Sequence, residues 1–280
     1  MMQFLTAVLL SVYILKKGNI LMKIGVCASP NHLPIISELH YEYIETNFSW
    51  IADMDENTFR EQTAFIEKYA VPSEAFNIFF RGGMKLYAPD GNQDPLLSEI
   101  ATFARTGFSR AATWGGKVAV IGSGFVRGIP DGMTREETET QFARVLEICG
   151  EEADRYGMKI VVEPLSRTDC NYIHTVAEGV AAARKANHPA VGVLVDFYHH
   201  WKNNDDMDSL TANADILYHA HYGRPEDRNV PQEEDKESLF QLAAILKKCS
   251  KMDRISLECS WKPDFETAIT AARPLMEVFR

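Results

Sequence analysis

The sequence predicts a single (β/α)8 barrel. Three observations carry that prediction: eight short apolar runs rich in β-branched and aromatic residues, amphipathic stretches between them with apolar residues three and four apart, and no linker or low-complexity tract in the series. Eight strands alternating with helices over roughly 250 residues is the arithmetic of such a barrel. A doubly wound sheet is the alternative, but it would normally use fewer strands.

The chain opens with MMQFLTAVLLSVYILKKGNIL, residues 1–21. Its run AVLLSVYIL looks like the apolar part of a secretion signal, but Lys16 and Lys17 follow the run, whereas a signal carries its positive charge in front. The run is also too short to span a bilayer. Met22 is followed at once by the strand-like KIGVCAS. Residues 1–21 are therefore expected to be a leader outside the fold, from an upstream start or an appended segment, with a weak signal or anchor as the alternative. Residues 22–280 are expected to form the barrel domain.

The strands are read in order as KIGVCA, YEYIETNF, EAFNIFF, GKVAVIGSG, KIVVEP, VGVLVDFYH, ILYHAHY and RISLECS. Helices between them include NTFREQTAFIEKYA, TREETETQFARVLEICGEEADRYG, TVAEGVAAARKAN and DKESLFQLAAILKKC. The longest has a capping-box start at Thr134, followed by Arg135, Glu136 and Glu137, and it stops at Gly157.

With 46% hydrophobic and 24% charged residues, the chain has the composition of a soluble globular protein. A net charge of -10 and the lack of any basic block exclude a typical phosphate-backbone binder. The five cysteines, Cys27, Cys149, Cys170, Cys249 and Cys259, are odd in number and scattered, which suggests neither a disulfide framework nor a zinc-thiolate site. A reducing cytoplasm fits them, and neither nucleic acid nor membrane is expected as a partner.

The polar residues sit at the strand ends. Glu163 closes KIVVEP, Asp196 follows VGVLV, Glu258 follows RISL, and ILYHAHY ends in His219 and His221, which share a face. In a barrel these ends lie on the C-terminal face, where active sites form. A lone acid there is as readily a hydrogen-bonded structural group. Several converging carboxylates repel one another, and a cation resolves the conflict. One divalent ion is expected; the oxygen-rich donor set favours Mn2+, Mg2+ or Co2+ and admits Zn2+ or Fe2+.

EPLSRTDCNYIHT (163–175), together with VDFYH, HAHYG and LECSW, resembles the xylose isomerase-like TIM-barrel superfamily. The best match within it is the sugar isomerase/epimerase branch that includes tagatose and psicose 3-epimerases and hydroxypyruvate isomerase-like proteins. The resemblance runs from about Met22 to the end; its four motifs are specific together and weak singly. It implies Glu163, Asp196, His221 and Glu258 as metal ligands, with Glu163 and Glu258 as the acid/base pair. It also implies that His199, Arg228 and Asp169 bind substrate. Asp169 stands where those epimerases carry Glu, and Arg228 follows a loop one residue longer. The implied reaction is proton transfer beside a carbonyl of a sugar or sugar phosphate, through a cis-enediolate, in a homodimer or homotetramer.

Two other outcomes share these residues: an inosose-type dehydratase on the same metal site, and a non-catalytic sugar-binding barrel. An abasic-site endonuclease would need further histidines and a basic surface. Weaker candidates are GSGFVRG (122–128) with Arg127 for an anion, Lys85 for substrate, and Trp50, Trp114 and Trp261 for a sugar pocket. Each has a plainer reading, as a strand-to-loop turn, a solvated lysine or core packing. His219 reads as support for a ligand rather than a ligand, and His174 and His200 as structural.

Overall fold

The computed structural model describes residues 21–280, so the leader read over residues 1–21 lies, but for Leu21, outside the described residues. Eight parallel strands close into one barrel in sequence order: β1 (Lys23–Cys27), β2 (Tyr43–Asn47), β3 (Ser73–Asn77), β4 (Val118–Ile121), β5 (Lys159–Val162), β6 (Val191–Asp196), β7 (Leu217–Tyr222) and β8 (Arg254–Leu257). β1 pairs with β8 through Val26 and Leu257, which completes the ring. All eight expected strands are present. Each is shorter than the run expected for it; β2 stops at Asn47 and β6 at Asp196, and a helix begins at the next residue in both cases.

Helices cover the outside. The longest expected one spans Arg135–Asp154 and has the capping box: Thr134 Oγ1 accepts from Glu137 N–H, and the Glu137 carboxylate accepts from Thr134 N–H at 2.8 Å. Gly157, with φ +64°, follows in the left-handed region that glycine tolerates. Among the described residues no helix is long and apolar enough to cross a membrane. All five cysteines are free thiols.

Strand periodicity positions the site. Successive side chains point alternately outward and inward. Ile160 and Val162, Val193 and Val195, Ala220, and Ile255 and Leu257 join the large core between barrel and helices. Tyr43, Ala75, Val118, Val120, Val161 and Leu194 form a separate cluster, the packed interior of the barrel. Two residues beyond Val161, Leu194, His219 and Ser256 come Glu163, Asp196, His221 and Glu258. Their places follow from the same parity that fills the interior.

The interior leaves no slack at Gly25. A Cβ there would lie 2.2 Å from the Tyr43 ring, which is held by a 2.8 Å hydrogen bond between Tyr43 Oη and Ser256 Oγ. Gly25→Ala should therefore destabilise the protein by about 1–3 kcal/mol through overpacking. Urea unfolding would measure it, and an unchanged midpoint would contradict the packing described.

Candidate metal centre and active site

Four strands deliver the central cluster. Glu163 directly follows β5, where its N–H donates to Ile121 O; Glu258 directly follows β8, where its N–H donates to Tyr222 O; Asp196 ends β6 and His221 lies within β7. One ligand atom from each of the four lies within 4.8 Å of those of the others, a group able to hold a metal ion. His221 Nδ1 is 3.3 Å from Glu163 Oε1, 3.3 Å from Glu258 Oε2 and 4.0 Å from Asp196 Oδ2.

Two buried atoms show what the cluster lacks. Glu163 Oε1 and His221 Nδ1 face each other, yet neither makes a well-directed hydrogen bond. Leaving such groups unpaired is costly in a protein interior. A divalent ion among three carboxylates and one imidazole would satisfy both, so the residues present fit such an ion.

The electrostatics agree. Burial pushes the Asp196 carboxyl up to about 6, reinforced by Glu258 and Glu163 and opposed by His199 and Arg228. Burial would also raise Glu258, but His221 and Arg228 hold it well below the usual carboxylate range. For His221, burial works downward, and Glu45 and Glu258 override it to hold the imidazole well above its ordinary value. The cluster thus draws on nearby positive charges. Arg228 supplies one of them: its guanidinium donates to Glu258 Oε2 at 2.6 Å and lies 3.5 Å from Asp196 Oδ2.

Asp196 does two jobs. Oδ1 accepts from the N–H groups of Tyr198 and His199 and caps the helix Phe197–Lys202, while Oδ2 faces the cluster. The apolar run of β6 ends in ionisable residues because chain direction and helix start change at this one side chain. His199 Nδ1 accepts from Ser166 N–H at 3.1 Å, which leaves the proton of the neutral ring on Nε2, 3.8 Å from Asp196 Oδ2. Asp169 lies 3.5 Å from His199 Nδ1 and accepts from Ser166 Oγ; it contacts this support and not the cluster.

Sequence reasoning missed Glu45. This fully buried carboxylate bridges both histidines: Oε1 is 2.8 Å from His221 Nε2, and Oε2 is 2.8 Å from His219 Nε2 and accepts from Ser256 Oγ at 2.6 Å. Glu45 resists the upward pull of burial through the two histidines and stays well below the carboxylate range. Burial instead pushes His219 down, so it stands neutral and donates Nε2–H to Glu45. Holding His221 by Nε2 turns Nδ1 toward the cluster, the arrangement by which a carboxylate orients a metal-binding imidazole. The signal was strand parity, since Glu45 shares a face with Tyr43. Cys27, Glu45 and His221 form a second group of ligand type. There, however, Glu45 and His221 Nε2 are spent on each other, and burial, helped by Glu45, pushes the Cys27 thiol well up.

For Arg127 the plainer reading, a strand-to-loop turn, fits. The arginine is fully buried and turned inward, donating from Nε to Gly122 O at 2.8 Å and from a terminal nitrogen to Glu163 O at 3.0 Å. An anion could not reach it; it fixes the backbone that carries Glu163. Gly122 is needed beside it, because a Cβ there would fall 2.1 Å from Glu163 Oε2. Lys85 is exposed and makes no contact with the cluster. The tryptophans divide: Trp114 is core, donating to Thr63 Oγ1, whereas Trp50 and Trp261 line a cavity of about 450 Å³ that reaches Glu258 and Glu45. Asn77, also unforeseen, lines it and donates to Glu258 Oε1 at 3.4 Å. His174 and His200 make their contacts with Leu165 O and Asp205.

Residues 33–279 match the family model described as xylose isomerase-like TIM barrel, and the chain belongs to that family. Among curated protein sequences none matches. Similar solved structures include 3-keto-D-glucoside 4-epimerase YcjR from E. coli, with a TM-score of 0.70 at 20% identity over 92% of this chain and 99% of that one. D-psicose 3-epimerase with D-tagatose, from Clostridium cellulolyticum H10, has a TM-score of 0.73 at 14% identity, covering 92% and 96%. The IolI protein with a bound zinc atom has a TM-score of 0.68 at 19% identity, covering 92% and 98%. At these identities the likeness is one of fold.

Replacing Glu45 by Gln keeps its shape but removes the charge that orients His221. Glu45→Gln should weaken Mn2+ binding by about 10–100-fold, measured by titration calorimetry, with the circular dichroism of the barrel kept. Unchanged affinity would show that Glu45 does not orient the ligand.

Proposed function

We propose that this protein is a divalent-metal-dependent sugar epimerase or isomerase that moves a proton at a carbon beside a carbonyl, most like a ketose 3-epimerase. The observation that carries this reading is the pairing of Glu163 and Glu258. They come from β5 and β8, separated by β6 and β7 around the ring, and converge on His221 Nδ1 at 3.3 Å each.

Glu163, Asp196, His221 and Glu258 would hold the ion. When bound there, it would polarise a substrate carbonyl and lower the cost of negative charge on its oxygen. The chain's own residues do the rest. One glutamate removes the proton from carbon, and the C–H electron pair moves into the enediolate; the other returns a proton on the opposite face and inverts the centre. Return of the proton to the neighbouring carbon gives isomerisation instead. His199, with its proton on Nε2, offers a donor beside Asp196, and Arg228 compensates Glu258 and Asp196 while presenting further donors. Asp169 steadies His199 through Ser166.

The fold relatives support the class, since YcjR and psicose 3-epimerase are sugar epimerases by name. NMR in D2O tests it, with the protein either Mn2+-loaded or chelator-stripped. The expected result is metal-dependent exchange of a carbon-bound proton, at C3 for a 3-epimerase and at C1 for an aldose-ketose isomerase. Glu163→Gln and Glu258→Gln should each slow exchange by about 10²–10⁴-fold. Loss of water with a new carbonyl would replace the reading by dehydration, and full exchange after metal removal would overturn it.

A further inference from the structure

At the end of the barrel opposite the carboxylate cluster, the segments that run into β6, β7 and β8 enclose a cavity of about 520 Å³. Its wall includes Arg184, His188, Asp215, Tyr218 and Lys251. The chemistry is the reverse of the cluster's: one carboxylate stands against a guanidinium, an ammonium and an imidazole, in a chain of net charge -10.

An irregularity between two strands builds the centre of this wall. β6 and β7 pair Val193 with Leu217 but Leu194 with His219, so the ladder skips Tyr218. Bulges of this kind re-aim a side chain at the rim of a barrel. The Tyr218 ring lies over Gly192, where a Cβ would fall 2.2 Å from it, so only glycine at 192 leaves room for the ring. Two ammonium groups lie over the same ring, Lys251 at 5.1 Å and Lys159 at 5.8 Å from its centroid. His188 is seated in a similar way: a Cβ at Gly150 would fall 2.8 Å from its Nδ1.

The hydrogen bonds already made leave donors to spare. Tyr218 Oη accepts from Lys251 Nζ at 3.0 Å, which frees its own proton for another acceptor. His188 Nδ1 accepts from Ala190 N–H at 3.2 Å, which leaves Nε2 as the donor. Lys159 donates to Pro189 O at 3.1 Å, and among the described residues neither it nor Lys251 has a carboxylate partner. Arg184 has Asp215, 3.9 Å away with both side chains exposed, and so open a pair holds its members weakly. A phenol, an imidazole, a guanidinium and two ammonium groups offer more donors than the two oxygens of a carboxylate take up. They suit a tetrahedral dianion.

We propose that this end of the barrel binds phosphate, as the free ion or as the phosphoryl group of a small ester, with Tyr218 Oη, Lys251 and Arg184 as its main donors. Val191 and Ile216 in the wall give the carbon chain of an ester an apolar contact. The site lies at the other ends of the strands that carry the metal cluster and does not depend on what that cluster does.

Titration calorimetry and 31P NMR test it on the full chain, stripped of metal, with inorganic phosphate and glycerol 3-phosphate as probes. About 0.15 M NaCl screens unspecific attraction. One site per chain with a Kd of about 0.1–3 mM is expected. Lys251→Ala and Arg184→Ala should each weaken binding about three- to thirtyfold, and Tyr218→Phe, which keeps the ring and removes the hydroxyl, about three- to tenfold. Lys185→Ala, which removes an exposed lysine beside Arg184 but outside the cavity, should leave binding unchanged. Tighter binding of the ester assigns the site to a metabolite, and tighter binding of inorganic phosphate assigns it to the free ion; either result supports the proposal. No binding up to about 10 mM of either probe, or binding that survives all three substitutions in the wall, would overturn it.

Discussion

Three carboxylates and an imidazole converge at the mouth of a packed barrel, and the polar groups around them answer that charge problem. Like charges this close cannot all be ionised without compensation. The chain compensates in part with Arg228 and with His221, whose imidazole Glu45 and Glu258 hold well above its ordinary value, yet Glu163 Oε1 and His221 Nδ1 are still left without directed partners.

The support around the cluster is as specific as the cluster. Glu45 and Ser256 lock the histidines from below, and Arg127 ties the Glu163 carbonyl to that of Gly122 at the end of β4. Gly122 keeps clear the space that the Glu163 carboxylate occupies. Ser166 joins His199 to Asp169. None of these groups need touch a substrate. Each removes a freedom from a residue of the cluster or from His199, which is how a rigid scaffold holds a constellation in place.

The barrel was legible because its strands are buried on both faces and so read as short apolar runs, and because ionisable residues at their ends stand out against that background. The four central residues were legible for the same reason. Glu45 was not: YEYIETNF carries two acids, Glu42 and Glu45, that local composition does not tell apart, and the partners of Glu45 lie 174 and 176 residues away. The turn from strand to helix at Asp196 was also hidden, since FYH continues an aromatic, strand-like composition, and only the capping geometry reveals the break. Trp114 and Trp50 are alike in sequence and differ only in what packs over them. Arg127 was a weaker candidate for an anion beside three glycines, and its burial is a tertiary fact that no local pattern carries.

The most direct test is a crystal structure of the Mn2+-soaked protein with anomalous diffraction at the manganese edge. One ion per chain is expected, bound by oxygens of Glu163, Asp196 and Glu258 and by Nδ1 of His221, with His221 Nε2 still on Glu45. An ion bound through Cys27, or no ion among these four residues at saturating Mn2+, would contradict it.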